Sequence, residues 1–173
     1  ITEIIHRSKN HEERSHLSVI GVLRKIDAAS VLFFLGILLA VAALQEIGHL
    51  INAASWLRDS MGNVYAINVT IGFLSAIVDN VPLVAASMGM YDVTAAGAAA
   101  SEWEGYFVQN GVFWQFLAYC AGTGGSALII GSAAGVAVMG LERIDFVWYL
   151  KKISLLAISG YLAGAVVFWL MFR

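Results

Sequence analysis

Two short polar clusters stand inside otherwise apolar sequence. The first is Ser75-Ala76-Ile77-Val78-Asp79-Asn80-Val81-Pro82, which holds the chain's single proline. The second is Gly122-Thr123-Gly124-Gly125-Ser126. Asp79 is the only formally charged residue between Val64 and Tyr91. A charged side chain near the centre of a membrane helix costs about 2.5–3.5 kcal/mol. A carboxylate kept there needs a cation, a proton or a buried partner, and the first two are favoured here. The Asp79 carboxylate, the Asn80 amide and the Ser75, Thr123 and Ser126 hydroxyls all offer oxygen. Carbonyls freed around Gly122, Gly124 and Gly125 would add more. Oxygen is the donor hard cations prefer, and neither thiolate nor imidazole stands in either cluster. A carboxylate binds sodium when ionised and a proton when neutral, so one group can serve both by competition.

Each of these residues also has a plainer use. Asp79 could be a capped or paired structural acid, and Asn80 a helix cap. The Gly122–Ser126 run could be a packing kink, since glycine is frequent in membrane helices. Ser75 and Thr70 could bond their own helix backbone. Glu46 and His49 lie one turn apart, as an interfacial pair or part of a proton path.

The elements that must position these groups are membrane helices. The chain is 60% hydrophobic and 13% charged, with mean hydropathy +0.78, whereas soluble domains run about 45–50% apolar and about 25% charged. Residues 1–27 are polar and read as a solvated cytoplasmic linker. Its His6, His11 and His16 recur at a spacing that does not stack them on one helical face, and Leu17, Ile20, Val22 and Leu23 could lay its second half on the membrane surface. Residues 28–173 form the transmembrane part. Ala28–Leu44 is uncharged and reaches spanning length, about 20 residues, with Gly48–Ile51 appended. Asn52–Gly62 reads as a short interfacial helix. In Val64–Tyr91, Pro82 lacks an N–H and disfavours helical geometry at Val81, so a continuous helix through Asp79–Pro82 is not expected. Asp92–Glu104 reads as an external loop. Gly105–Leu141 carries no charge and would run about 55 Å if wholly helical, so a break is expected at Gly122–Ser126. The small-residue cluster Gly131–Gly135 would permit close helix approach. Leu141–Lys152 reads as interfacial and Ile153–Phe172 as a span.

Charge fixes a topology. With the N-terminal segment inside and Val64–Tyr91 returning as a re-entrant hairpin, inside segments hold Arg7, Lys9, Arg14, Arg24, Lys25, Arg143, Lys151 and Lys152. Arg58 and Arg173 fall outside, which fits the positive-inside rule. The fold class expected is an all-α membrane protein with a re-entrant hairpin and a discontinuous helix. Non-helical backbone at membrane depth is tolerated where it lines a cavity or is buried in protein, and transporters use such breaks to coordinate cations.

SAIVDNVPLVAASMGMYD at Ser75–Asp92 and TGGSALIIGSAAGVAVMG at Thr123–Gly140 resemble the NhaD family of sodium/proton antiporters. FFLGILLAVAAL at Phe33–Leu44 and FVWYLKK at Phe146–Lys152 fit the same family, and the likeness runs from about Arg24 to Arg173. The resemblance implies two inverted repeats, each with a re-entrant hairpin and an unwound helix, and a homodimer. This chain would be the second repeat, a part of a longer protein, with the inter-repeat linker at residues 1–27 and the first repeat as its partner in the bilayer. It also implies that Asp79 and Asn80 match the hairpin-tip site and Thr123–Ser126 the unwound-helix site. The leading expectation is exchange of sodium or lithium for protons, without a cofactor, in a bacterial cytoplasmic membrane or an organelle envelope.

Other classes fit less well. An arsenite or dicarboxylate transporter of the same superfamily is the alternative, yet anions favour helix N-termini and basic surroundings rather than a carboxylate. An intramembrane aspartyl protease needs two membrane carboxylates, and a serine type needs a histidine base near its nucleophile; every histidine lies at or before His49. A structural anchor leaves Asp79 unexplained. The single cysteine, Cys120, excludes an intrachain disulfide and reads as a small buried hydrophobe. At net charge −2 with no basic block, nucleic acid is not a partner.

Overall fold

The computed structural model describes residues 28–95, 97–131 and 133–172. The readings made on residues 1–27 lie outside the described residues. The chain divides between Ile37 and Leu38 into two units. Helix α1, Ala28–Glu46, passes through the division, and the second unit contains both polar clusters. Secondary structure among the described residues is helical apart from one isolated bridge, Thr94 with Val108.

The first expected span ends sooner than its apolar sequence suggests. Helix α1 stops at Glu46 and α2 runs His49–Met61, because Gly48 between them takes a left-handed φ of 76°. The two axes are bent by 73°. Leu50 and Ile51 therefore belong to α2, where Leu50, Ala54 and Leu57 are buried on one face. Glu46 and His49 fall on opposite sides of the bend, and neither a hydrogen bond nor an ion pair joins them.

Helix α3, Val64–Leu74, starts on Asn63, whose side chain accepts from the N–H groups of Tyr65 and Ala66. Its end loosens through a turn in which Ala76 and Val78 donate to the carbonyls of Phe73 and Leu74. Helix α4, Asn80–Met90, then begins, with Asp79 non-helical before it at φ −49° and ψ 142°. The break thus precedes the proline rather than falling on it. Val81 is helical, and Pro82 sits in the first turn of α4, where no helical N–H bond is forfeited.

The Asp92–Glu104 loop is pinned. Thr94 N–H donates to the Phe107 carbonyl at 3.0 Å, Tyr91 stacks on Phe107, and a single turn, α5 (Glu102–Gly105), is capped by Ser101. Helix α6, Val112–Gly124, packs along α3, and α4 lies on α2 and α6. A core of Leu57, Val64, Ile67, Ile71, Phe107, Phe113 and Leu117 forms between them.

The second break opens in the later half of the expected Gly122–Ser126 run. Gly122, Thr123 and Gly124 remain in α6, and the chain unwinds through 3₁₀ turns at Gly125–Ala127 and Ile129–Gly131. Helix propensity is a weak prior that packing overrides, and here Gly124 lies directly against Gly72 of α3: a Cβ at 124 would overlap the Gly72 carbonyl. The three glycines therefore serve a helix crossing first and an interruption second.

Helices α7 (Ala133–Leu141) and α8 (Phe146–Lys152, capped by Asp145) lead into α9, Ser154–Phe172. Among the described residues α9 is the helix long and apolar enough to cross a membrane, and the bent α1–α2 pair passes together. Its inward side is held by Tyr161, whose hydroxyl donates to the Val69 carbonyl at 2.9 Å, while Tyr119 donates to the Tyr161 carbonyl at 2.8 Å. Cys120 is fully buried beside Phe116, Tyr161 and Ala165, packed as a small hydrophobe.

Candidate functional site

The two interruptions touch through their backbones. A Cβ on Gly131 would stand 2.5 Å from the Ser75 carbonyl oxygen and 2.6 Å from Ala76 Cα, and one on Gly125 would meet the same Ser75 oxygen at 3.3 Å. Glycine is what allows the 3₁₀ turns to lie against the turn that follows α3. A cavity of about 140 Å³ opens at this junction. Asn80 reaches it from one break, Gly122, Gly125, Ser126 and Gly131 from the other, and Tyr149 from α8.

The expected site residues divide by what they do here. Asp79 is half-buried and precedes α4 in the capping position, but its side chain makes no capping bond. Among the described residues its carboxylate enters no hydrogen bond or ion pair. Neither a cap nor a pair engages the acid among the described residues. Asp79 is not on the cavity wall; its neighbour Asn80 is. Asn80 is the first helical residue of α4 rather than its cap.

The hydroxyls are engaged locally. Ser75, fully buried, donates to the Gly72 carbonyl at 2.7 Å. Thr123 donates to the Tyr119 carbonyl at 2.7 Å, and Ser126 donates to the Thr123 carbonyl. Thr70 donates to the Ala66 carbonyl. Each such bond uses the hydrogen and leaves the hydroxyl oxygen's lone pairs as acceptors or ligands. Of the expected site residues, Asn80, Gly122, Gly125 and Ser126 share the cavity wall, whereas Ser75, Thr123 and Gly124 are not on it and Asp79 is next along the chain from Asn80.

Two participants were not legible in advance. Tyr149 sits in an aromatic-basic run that reads as membrane-interfacial, yet its hydroxyl donates to the Ser126 carbonyl at 2.9 Å. Gly131, in the small-residue cluster that permits close approach, lets the backbone lie against the Ser75–Ala76 turn. No spacing in the sequence links Tyr149 to Ser126, because the link is made by α8 packing against the Ile129–Gly131 turn.

Comparison with known proteins places the chain in a family of transporters. The citrate transporter family (CitMHS) matches residues 15–108, more than half of the chain. The chain belongs to this family. With it comes an integral membrane protein, and the resemblance to NhaD antiporters drawn from the two polar clusters is borne out by its relatives. The chain is 49% identical to Sodium/proton antiporter 1 of Arabidopsis thaliana over 97% of its own length and 27% of that protein's. It is 45% identical to Sodium/proton antiporter 2 of the same plant, over 97% of this chain and 37% of that protein. The Na(+)/H(+) antiporter NhaD of Vibrio parahaemolyticus is 35% identical over 69% of this chain and 25% of that protein. The chain therefore spans about a quarter to somewhat over a third of the curated relatives it matches. No solved structure matches it.

Proposed function

We propose that this chain is the second repeat of a sodium/proton antiporter, in which Asp79 holds sodium (or lithium) when ionised and a proton when neutral. The observation that carries the reading is the Asp79 carboxylate itself, half-buried at a helix break and bonded to nothing among the described residues. An acid with no structural partner, at an apolar break that touches a second break, is suited to titrate in a transport cycle. Names of the relatives as sodium/proton antiporters support the same exchange.

In this reading α3, the turn and α4 form the re-entrant hairpin, and α6 to α7 the discontinuous helix. Asn80, with Ser75, Thr123, Ser126 and carbonyls near Gly122, Gly124 and Gly125, completes the chain's share of the ion shell. The first repeat supplies the remainder, and the protein works as a homodimer in a bacterial cytoplasmic membrane or an organelle envelope. Inward proton movement drives sodium export, each ion neutralising Asp79 in turn as access alternates between sides.

The family's citrate name favours a second reading, anion transport. The lone carboxylate opposes it, since anions seek helix N-termini and positive charge. The deciding experiment uses everted vesicles carrying the full protein. Sodium is expected to move protons with the native sequence and not with Asp79→Asn, at equal insertion. Undiminished exchange by the variant, or citrate uptake with no sodium-dependent proton movement, would overturn the proposal.

A further inference from the structure

We propose that Tyr149 gates the cavity beside Asp79 by competing with a cation on its way to Asp79 for the Ser126 carbonyl. This rests on the antiporter reading and adds to it a residue outside both polar clusters.

Tyr149 is half-buried on α8, with Lys151 and Lys152 exposed at the end of the same short helix. Its hydroxyl crosses from that helix to the interrupted segment and donates to the Ser126 carbonyl at 2.9 Å. Ser126 belongs to the 3₁₀ turn that follows α6, where the α-helical ladder ends. Ser126 and Tyr149 both line the cavity of about 140 Å³ that Asn80 also lines. The hydroxyl therefore binds the carbonyl of a residue that lines the cavity next to Asp79, whose chain neighbour Asn80 lines the same cavity.

A phenol hydrogen and a cation want the same thing from a carbonyl, its negative end, and they repel one another when both approach it. A cation that takes the Ser126 oxygen weakens or displaces the hydroxyl. Tyr149 is then free to swing, and the wall between cavity and α8 loosens. Tyr149 is a positioning residue in this scheme. It sets how easily the cavity accepts a cation, and it reports cation arrival to an interfacial helix.

A neutral hydrogen bond of this kind shifts an equilibrium by about fivefold. Tyr149→Phe keeps the ring and removes the competitor. In full-length protein in everted vesicles, the half-saturating sodium concentration should fall about fivefold, with insertion unchanged. An unchanged half-saturation accompanied by lower thermal stability would make the bond merely structural and overturn the proposal. A raised half-saturation would make the hydroxyl a ligand and overturn it as well. If the variant does not insert, 3-fluorotyrosine placed at 149 in the otherwise native protein gives a second readout. Its fluorine resonance should shift on sodium titration, saturating with transport, and an unmoved resonance would overturn the gate. Absence of exchange by the native protein would sink the antiporter reading instead, before any Tyr149 comparison is made.

Discussion

At the scale of single residues, Asp79 is set apart by a carboxylate that no hydrogen bond or ion pair engages among the described residues. It stands before α4, where a helix N-terminus favours negative charge by about 0.3–1 kcal/mol, yet its side chain forms no cap. Asp79→Asn should therefore cost no more than about 1 kcal/mol of stability while exchange disappears. Thermal unfolding of the detergent-solubilised full protein checks this, and a collapse in the midpoint would recast Asp79 as a structural acid. Asp79 was legible in the sequence because one charge in a long apolar run needs no structure to be noticed. Tyr149 was not, since an aromatic beside lysines reads as a membrane-interface anchor whether or not its hydroxyl reaches inward. The state of the serine and threonine hydroxyls was half legible. Their bonds to preceding carbonyls follow a local rule, and that rule is obeyed by Thr70, Ser75, Thr123 and Ser126.

Among the elements, both interruptions were visible in composition, and each falls at one end of the run that marks it. The proline marks the start of α4 rather than the kink, because a residue without an N–H fits the first turn. The glycines at 122 and 124 look equivalent in sequence and are opposite in the fold. A Cβ at Gly124 would overlap the Gly72 carbonyl, whereas one at Gly122 would meet nothing within 4 Å. Gly124→Ala should force α3 and α6 apart at a cost of about 1–3 kcal/mol. Gly122→Ala should hold or slightly raise stability, since alanine favours helix over glycine by about 1 kcal/mol, while narrowing the cavity that Gly122 lines. Paired thermal unfolding curves decide it. Equal midpoints for the two variants would contradict the crossing described here. Such an asymmetry is invisible to any reading of helix propensity, because it depends on which residue of a distant helix lies opposite.

For the molecule as a whole, apolar surface and site geometry point the same way. Leu155, Leu156, Leu170 and Met171 of α9 are exposed, while Tyr161 and Ala165 are buried. That pattern suits a helix with lipid on one side and protein on the other. The all-helical class and the membrane setting followed directly from hydropathy, but the bend at Gly48 did not. A left-handed glycine inside an apolar run changes where one helix ends without altering the run's composition. In the function proposed above, one event decides the outcome at this scale, the exchange of a proton for sodium at Asp79. Its most direct test is a proton count on the purified full-length protein in weakly buffered detergent. Adding sodium or lithium should release protons from the native protein, and Asp79→Asn should release none. Equal release from the variant, or no release from the native protein at any pH where it exchanges, would contradict the account.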